Sequence, residues 1–345
     1  MQEELVLASR NSGMPLEALR YDVTPAGLHY LLVHFDIPAA DPALWSLAIA
    51  GQVERPRNLS LREIMGLPSS TLRVTLECAG NGRGQMSPRY PSMPWLEEGV
   101  STAEWTGTPL AALLEAAGVK PAASQIVFRG TDRGVDRGTE HDYARSLTVA
   151  EAMKADVLVV YAMNGQPLLP QHGAPLRLIV PGGYGMASVK WLAGIEAVEL
   201  PFDGIQQTVS YHFRARTGEE GVPCTHMRVN SLMLPPGIPD FFSRRRIVDA
   251  GRTRLSGRAW SGAGVPIARV EVAVDEAWRD ASLGASAGPW AWRGWSFEWD
   301  AVPGEHVLAC RATDARGKLQ PEEPVWDVTG FGNNSTHRLN VTVRA

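Results

Sequence analysis

The segment Thr75-Leu-Glu-Cys-Ala-Gly-Asn-Gly-Arg83 constrains the fold of this chain more than any other. The apolar and β-branched run at residues 72–76 predicts a buried strand. The strand ends near Cys78 and leads into a turn with glycines at 80, 82 and 84. These glycines let the backbone take positive φ and approach a bound group closely. The sequence thus predicts one thiol at a strand end, in a loop with free N–H donors and one arginine.

Three interpretations of this loop are open at first. A lone cysteine is most often a buried core residue beside a tight turn. A dinucleotide-binding loop is a poor match, because Gln85 stands where a third glycine is needed and the prolines at 88, 91 and 94 prevent the helix that should follow. A third interpretation is a thiolate ligand to a soft metal, with a thiol pKa lowered by Arg83 and by converging N–H groups.

A second unusual block begins at Asn164-Gly-Gln-Pro-Leu and continues through His172-Gly-Ala-Pro-Leu-Arg177. It ends with Pro181-Gly-Gly-Tyr-Gly-Met-Ala-Ser-Val-Lys-Trp-Leu192. A single Lys or Arg is usually a solvated surface charge. Two cations that bracket an apolar, glycine-rich stretch are less readily explained in that way.

Together the two blocks closely resemble the molybdenum-ligand loop and the cofactor-binding segment of the sulfite oxidase family, in the family's order and spacing. Members carry an oxo-molybdenum centre on a single molybdopterin. The resemblance implies that Cys78 is the metal ligand, together with the pterin dithiolene. It also implies that the molybdopterin contacts are His34, Asp132, His172, Arg177, Ser188 and Lys190. Without the resemblance, His34 is equally a core histidine and Asp132 is more readily an ordinary turn residue.

The same resemblance implies two further catalytic residues, Arg83 for the charge of an anionic substrate and Tyr211 as a hydrogen-bond donor. Trp95 is similar to a tryptophan of the family's substrate pocket. The chain departs from the family pattern at Leu32 and Thr329, where arginines are expected. The pocket has therefore lost two cations that a sulfite dianion would favour.

The resemblance implies a molybdenum- and molybdopterin-dependent enzyme that oxidises sulfite to sulfate by oxo transfer. Alternatives are an oxidoreductase for another sulfur compound or nitrate, and a non-catalytic binding protein with a relic cofactor site. The substrate that the resemblance implies is a small inorganic oxyanion or sulfur compound. Without a C-x-x-C-H haem motif, the electron acceptor is expected to be a separate molecule, a cytochrome or another carrier.

Charge and cysteine content exclude other classes. A net charge of −4 implies no nucleic-acid or membrane-surface partner. The three cysteines, at 78, 224 and 310, form no C-x-x-C pair and are expected to be free thiols in a reducing compartment. No apolar run is long enough to span a membrane. We expect a cytoplasmic protein, or a periplasmic one if a leader has been removed from this sequence.

The predicted fold is α+β in residues 1–222, a mixed α/β molybdopterin domain, followed by an all-β, immunoglobulin-like dimerisation domain in residues 223–345. Residues 1–40 are predicted to be irregular. Capping boxes at Ser60–Glu63 and Thr148–Glu151, and Thr108-Pro109, predict helix starts. Five short β runs beyond residue 223 predict a sandwich, at residues 254–260, 268–274, 294–299, 306–312 and 339–343. By resemblance the protein is a homodimer.

Overall fold

Two five-stranded sheets form most of the N-terminal half in the computed structural model, which describes residues 1–345. One sheet has the strand order Arg57–Ser60, Ser46–Gly51, Leu192–Val198, Gln125–Asp136 and Thr139–Thr148. Its only parallel pair is Ser46–Gly51 with Leu192–Val198. The other sheet has the order Ser70–Glu77, Val100–Pro109, Leu158–Met163 and Gln166–Pro167, with Arg177–Ile179 also paired to Leu158–Met163.

The strand predicted at residues 72–76 is confirmed as Ser70–Glu77, and it carries Cys78 into the interior. Residues 74–77 of this strand are all buried, as expected for an apolar β-branched run covered on both faces. The N–H of Cys78 donates to the carbonyl of Gly99, 2.8 Å away. The thiol therefore lies at the buried end of an edge strand of this sheet.

The helices are few and short: Gln2–Arg10, Leu61–Met65, Leu110–Ala117 and Val149–Ala152. Single turns of 3₁₀ helix lie at Leu16–Arg20, Ala26–Leu28, Arg83–Gln85, Pro170–His172 and Gly185–Ala187, and a π-helical turn lies at Gln206–Ser210. None of the helices combines the length and the apolar character that crossing a bilayer requires.

Both predicted capping boxes are confirmed, because Ser60 and Thr148 each accept from the N–H three residues on. Two other expectations are wrong. Residues 1–40 are not wholly irregular, since Gln2–Arg10 is helical and Glu4 anchors it by binding the guanidinium of Arg89. Thr108 does not cap the helix at Leu110; it ends a strand, and its hydroxyl donates to the carbonyl of Ile64.

Two packed sheets form the C-terminal half. The four-stranded sheet has the order Asn230–Met233, Gly251–Trp260, Arg293–Ala301 and Ser282–Leu283. The six-stranded sheet has the order Ile238–Pro239, Arg246–Asp249, His337–Arg344, Gly304–Asp314, Ile267–Val274 and Ala277–Asp280. A short ribbon of His212–Phe213 and Val222–Pro223 precedes the sandwich. Each of the five predicted β runs lies within an observed strand.

The tryptophans of the C-terminal half belong to two different cores. Trp295 and Trp299 pack inside the sandwich. Trp260 and Trp292 instead join the large core of the N-terminal half, where Trp292 donates its indole N–H to the carbonyl of Asp22. The two halves therefore share one apolar core at their junction. The boundary drawn at residues 222 and 223 stays a prediction.

Candidate active site

One cavity gathers residues from six separated parts of the sequence. Eight of the residues singled out from the sequence line it: His34, Cys78, Asp132, His172, Arg177, Ser188, Lys190 and Tyr211. Leu32 lines it too, so the position where an arginine was expected is an apolar part of the wall. Arg83 and Trp95, which were both expected on the substrate side, do not line the cavity.

Cys78 presents its thiol to this cavity while the residue is only 8% exposed. Arg83, the N–H of Gly80 and the indole of Trp95 favour the thiolate, but burial outweighs them and raises the pKa of the Cys78 thiol. The lowered pKa expected from the sequence is therefore wrong for the protein alone. A bound metal deprotonates a coordinating thiol outright, because its charge reverses this balance.

The glycines of the loop after Cys78 serve different purposes. Of the three, only Gly82 uses the positive φ that glycine permits, at 77°. Gly80 is needed because the guanidinium of Arg83 lies against it, and a Cβ there would be 2.5 Å from Arg83 Nη2. Gly84 packs directly against the carbonyl of Trp95. Close packing, more than backbone conformation, explains this glycine-rich sequence.

Arg83 is buried and held by the backbone of two distant segments. Its Nε donates to the carbonyl of Thr329 at 2.7 Å and its Nη1 to that of Met93 at 2.9 Å. Its guanidinium carbon lies 5.2 Å from the centre of the Phe331 ring. The Thr329 hydroxyl donates to Asp327, so residue 329 contributes a backbone carbonyl, and no cation, to this region.

Tyr211 and His34 form a hydrogen-bonded pair on the cavity wall. The phenol oxygen lies 2.5 Å from Nε2 of His34, and the imidazole packs against the ring of Tyr143 at 4.7 Å. Burial and the charges of Lys190 and Arg145 lower the pKa of His34 to about 3. Burial raises the pKa of Tyr211. The pair is therefore uncharged at neutral pH.

Two buried cations, Arg177 and Lys190, dominate the charge of the cavity wall. Burial lowers the pKa of Arg177 to about 10, and burial together with Arg177 lowers that of Lys190 to about 7. Lys190 Nζ donates to the carbonyls of Leu32 and Gln171, and Asp132 is the one anion acting on it. Buried charges without partners are unfavourable, so this wall would be stabilised by an anionic ligand.

The remaining predicted contacts also lie on the wall. His172 Nε2 is 3.3 Å from the carbonyl of Ala26, and burial lowers the pKa of this histidine to about 4. The Ser188 hydroxyl accepts from the N–H of Val180 and fixes the segment that carries Lys190. Gly173 has φ of 101°, and a Cβ there would collide with the side chain of Lys190.

Polar atoms without a protein partner indicate what the cavity is built to hold. Three buried atoms of cavity-lining residues make no hydrogen bond: Asp132 Oδ1, Arg177 Nε and His29 Nε2. Native proteins rarely leave such groups unpaired. The two free acceptors and the free donor fit a flat ligand that carries N–H and C=O groups. The excess positive charge fits a phosphate. Molybdopterin has both features.

The thiol also fits the metal. No group of three His, Cys, Asp or Glu side chains that could hold a metal is present. A metal at Cys78 would therefore take its other ligands from the cofactor. Soft sulfur donors of this kind suit a metal that changes oxidation state. The residues present thus match the implied cofactor.

The sequence analysis missed two residues beside Tyr211. Phe331 stacks on the Tyr211 ring at 5.2 Å. Arg145 is 8% exposed, and its guanidinium carbon lies 5.6 Å from the centre of that ring. The alternation of strand Thr139–Thr148 puts Arg145 on the same face as the cavity residue Tyr143, which was an available signal. No local pattern identifies Phe331.

Arg145 is unusual because no carboxylate compensates its charge. Its Nη1 donates to the carbonyl of Gln206, and its Nε has no partner. Burying a cation in this way is unfavourable by several kcal/mol unless another group compensates it. The aromatic ring of Tyr211 does so only in part.

Comparisons with known proteins agree with the cofactor that the resemblance implied. Residues 34–206 match the oxidoreductase molybdopterin binding domain, and residues 223–344 match the Mo-co oxidoreductase dimerisation domain. Among solved structures, the sulfane dehydrogenase SoxCD from Paracoccus pantotrophus superimposes with a TM-score of 0.82 at 26% identity, over 96% of this chain and 86% of that one.

Curated relatives extend the likeness over nearly the whole chain. Mitochondrial sulfite oxidase of Mus musculus is 32% identical over 348 residues, which cover 93% of this chain and 62% of the relative. NADH nitrate reductase 1 of Oryza sativa subsp. japonica is 31% identical over 365 residues, covering 96% of this chain and 40% of the relative. This chain thus spans only part of either relative. It belongs to the sulfite oxidase family of molybdopterin-dependent oxidoreductases.

Proposed function

We propose that this chain oxidises sulfite to sulfate with a molybdenum–molybdopterin cofactor and passes the electrons to a separate acceptor. The observation that carries the proposal is the single cavity that joins the Cys78 thiol, the buried cations Arg177 and Lys190, and the Tyr211–His34 pair. A degenerate binding shell would not need a complete set of such groups. The alternative of a non-catalytic protein with a relic site is therefore the weaker one.

Each wall of the cavity has a distinct task in this proposal. Cys78 ligates molybdenum, and the cofactor supplies two-electron oxo transfer when bound. Lys190 and Arg177 bind the anionic tail of the pterin, because phosphate favours cationic donors. Asp132 and His172 are hydrogen-bond partners of its polar ring, and Ser188 keeps the Lys190 segment in register through Val180.

Substrate binding falls to the side of Tyr211. Arg83 and Arg145 flank the stacked rings of Phe331 and Tyr211, so two guanidinium groups lie beside this part of the site. With the His34 proton on Nε2, that N–H donates to the phenol oxygen and leaves the phenol proton free for a substrate oxygen. These groups orient an oxyanion and offset part of its desolvation.

The same geometry argues for weak sulfite binding. Residue 32 is leucine, and residue 329 contributes only a carbonyl that Arg83 already uses. Asp327 adds a negative charge close to Arg83. This local charge favours a second candidate substrate, a less charged sulfur compound. The structural relative is a sulfane dehydrogenase, which agrees with that choice. Nitrate is a third candidate, through the nitrate reductase relatives.

Cofactor-loaded protein distinguishes these substrates when it is mixed anaerobically with each compound. We expect sulfite to bleach the visible thiolate-to-metal absorption, with half-saturation at high concentration. Bleaching by a sulfane compound but not by sulfite would favour the second candidate. Reoxidation of chemically reduced protein by nitrate alone would favour the third. Loaded protein that responds to none of the three would contradict the proposal.

We also propose that the chain acts as a homodimer in the cytoplasm. The match of residues 223–344 to a dimerisation domain supports the dimer. The three free, buried cysteines support a reducing compartment.

A further inference from the structure

Glu77 is a buried carboxylate that neither the cofactor nor the substrate needs for the roles described above. It is the last residue of strand Ser70–Glu77, directly before Cys78, and it is 3% exposed. It does not line the cavity. A charged side chain in such a place is unusual unless it is paired, so its partners identify what it does.

Three N–H groups converge on the two carboxylate oxygens of Glu77. Asn81 Nδ2 and Asn230 Nδ2 each donate to Oε1 at 3.1 Å, and the indole N–H of Trp260 donates to Oε2 at 3.1 Å. No Lys or Arg lies within salt-bridge distance. Burial raises the pKa of Glu77 to about 7, although all three hydrogen bonds oppose that shift.

On one side these bonds lead to the metal-ligand loop. Asn81 belongs to this loop, and its N–H donates to the carbonyl of Cys78 at 2.9 Å. Its Oδ1 accepts from the N–H of Gly99 at 2.9 Å, while the Gly99 carbonyl accepts from Cys78. Asn81 therefore fixes both ends of the turn that carries the thiol, and Glu77 fixes Asn81.

On the other side the bonds lead into the C-terminal sandwich. Asn230 and Trp260 lie opposite each other on paired strands of its four-stranded sheet. Asn230 Oδ1 accepts from Gln320, which in turn accepts from Ser231 and from the N–H of Ala312. A continuous set of buried hydrogen bonds thus links the loop of Cys78 to the interior of the sandwich.

We infer that Glu77 is a positioning residue that ties the Cys78 loop to the C-terminal sandwich, so that the presentation of the thiol depends on the docking of that second half. The inference rests on the proposed role of Cys78 for its relevance to catalysis. The coupling itself is a property of the chain and is measurable without molybdenum.

The chain offers a matched pair of variants for the test. Trp260→Phe removes the indole N–H that binds Glu77. Trp292→Phe removes an indole N–H of the same junction that binds the carbonyl of Asp22. Both residues are buried in one core and lose similar volume. Only the first change reaches Glu77.

The readout is the rate at which Cys78 is alkylated in full-length, cofactor-free protein, with Cys224 and Cys310 as buried internal references. We expect Trp260→Phe to accelerate alkylation of Cys78 by about tenfold or more, as the loss of a hydrogen bond to a buried carboxylate implies. Trp292→Phe leaves the rate close to wild type. Equal acceleration in the two variants, or none in Trp260→Phe, overturns the inference.

Glu77→Gln gives an independent arm. Its amide turns an N–H toward the N–H of Trp260, so we expect faster alkylation of Cys78 and lower molybdenum retention in cofactor-replete cells. Adding Trp260→Phe to Glu77→Gln removes the opposing N–H. We therefore expect the double variant to accelerate Cys78 alkylation by less than the product of the two single accelerations. Multiplicative effects overturn the inference. If the two changes have a non-multiplicative effect on Cys78 alkylation in a protein that never binds molybdenum, the inference is supported and the proposed function is contradicted.

Discussion

Lys190 illustrates at the scale of single residues how burial prepares the cavity for an anion. Burial and the neighbouring Arg177 lower the pKa of Lys190 to about 7, whereas Asp132 acts in the opposite direction. A bound phosphate would favour the ammonium form and raise that pKa again. The lysine therefore gains a full electrostatic partner only when the cofactor is bound.

We expect Lys190→Gln to weaken cofactor retention by about tenfold to a hundredfold, because a hydrogen bond to a charged group contributes roughly 1.5–3 kcal/mol. Molybdenum and pterin content after gel filtration measure the loss. Lys154→Gln, which changes an exposed lysine, is the matched control. Undiminished cofactor in Lys190→Gln would remove this residue from the proposed site.

Arg83 is expected to serve the substrate and not the metal. We expect Arg83→Ala to lower kcat/KM for sulfite by the equivalent of about 2–4 kcal/mol, as the loss of other oxyanion donors does. Molybdenum content should stay at the wild-type value. Metal-free protein from this variant would refute the assigned role, since it would mean that Arg83 is needed for cofactor binding.

His306 links two elements of the sandwich at the scale of secondary structure. Its Nδ1 is 2.7 Å from the carboxylate of Asp275, in the turn that joins Ile267–Val274 to Ala277–Asp280. Its Nε2 is 2.9 Å from the carbonyl of Val302. Both ring nitrogens thus face acceptors, which favours the imidazolium, and the Asp275 bond raises the pKa of His306.

This pair predicts a pH dependence of stability. The pKa of His306 is raised in the folded protein. Its contribution to the free energy of unfolding is therefore fully present below the unfolded-state pKa, and it is lost as the pH rises through the folded-state pKa. We expect it to be less than about 1 kcal/mol, because the pair lies near the surface. Denaturant unfolding of wild type and Asp275→Asn should differ most below the His306 pKa. A difference that is constant with pH contradicts the prediction.

The elements predicted correctly from the sequence are those with a local signal. The capping boxes at Ser60 and Thr148 specify a hydrogen-bond geometry within four residues, and both were found as expected. Strand Val100–Pro109 was not predicted. Most of it is buried on both faces, so its residues do not alternate between buried and exposed positions. Thr108 followed by proline has the sequence pattern of a helix cap. The strand pairing of Val100–Pro109 determines the conformation of Thr108 instead.

At the scale of the whole molecule, the surface carries an exposed aromatic pair. Phe241 and Phe242 are 78% and 91% exposed and pack edge-to-face at 4.9 Å. They lie in the loop between Ile238–Pro239 and Arg246–Asp249, inside the segment that matches a dimerisation domain. Exposed aromatic residues of this kind are typical of interface cores.

We expect Phe241→Ser with Phe242→Ser to shift the protein from dimer to monomer without loss of fold. Sedimentation velocity at several concentrations measures the shift, and circular dichroism checks the fold. Val302→Ser, an exposed apolar residue of the same half, should leave the dimer intact. A dimer as stable as wild type in the double variant would move the interface elsewhere.

The candidate site was predictable where its residues lie in two recognisable blocks. Cys78, His172, Arg177 and Lys190 were identified by their sequence context, and all four line one cavity. Glu77 and Phe331 were not identified, because Trp260 and Tyr211, which reveal their roles, lie far away in the chain and meet them only through the docking of the two halves. Tertiary packing, not local pattern, assigns such residues.

The central claim is that this cavity holds molybdenum through Cys78. Elemental analysis of wild type and Cys78→Ser from a molybdenum-replete host tests it most directly, together with the visible spectrum and the pterin content. We expect stoichiometric molybdenum in wild type and, in Cys78→Ser, loss of the thiolate-to-metal absorption with pterin still bound by Lys190 and Arg177. Wild-type protein without molybdenum, whose Cys78 is freely alkylated, would contradict the claim.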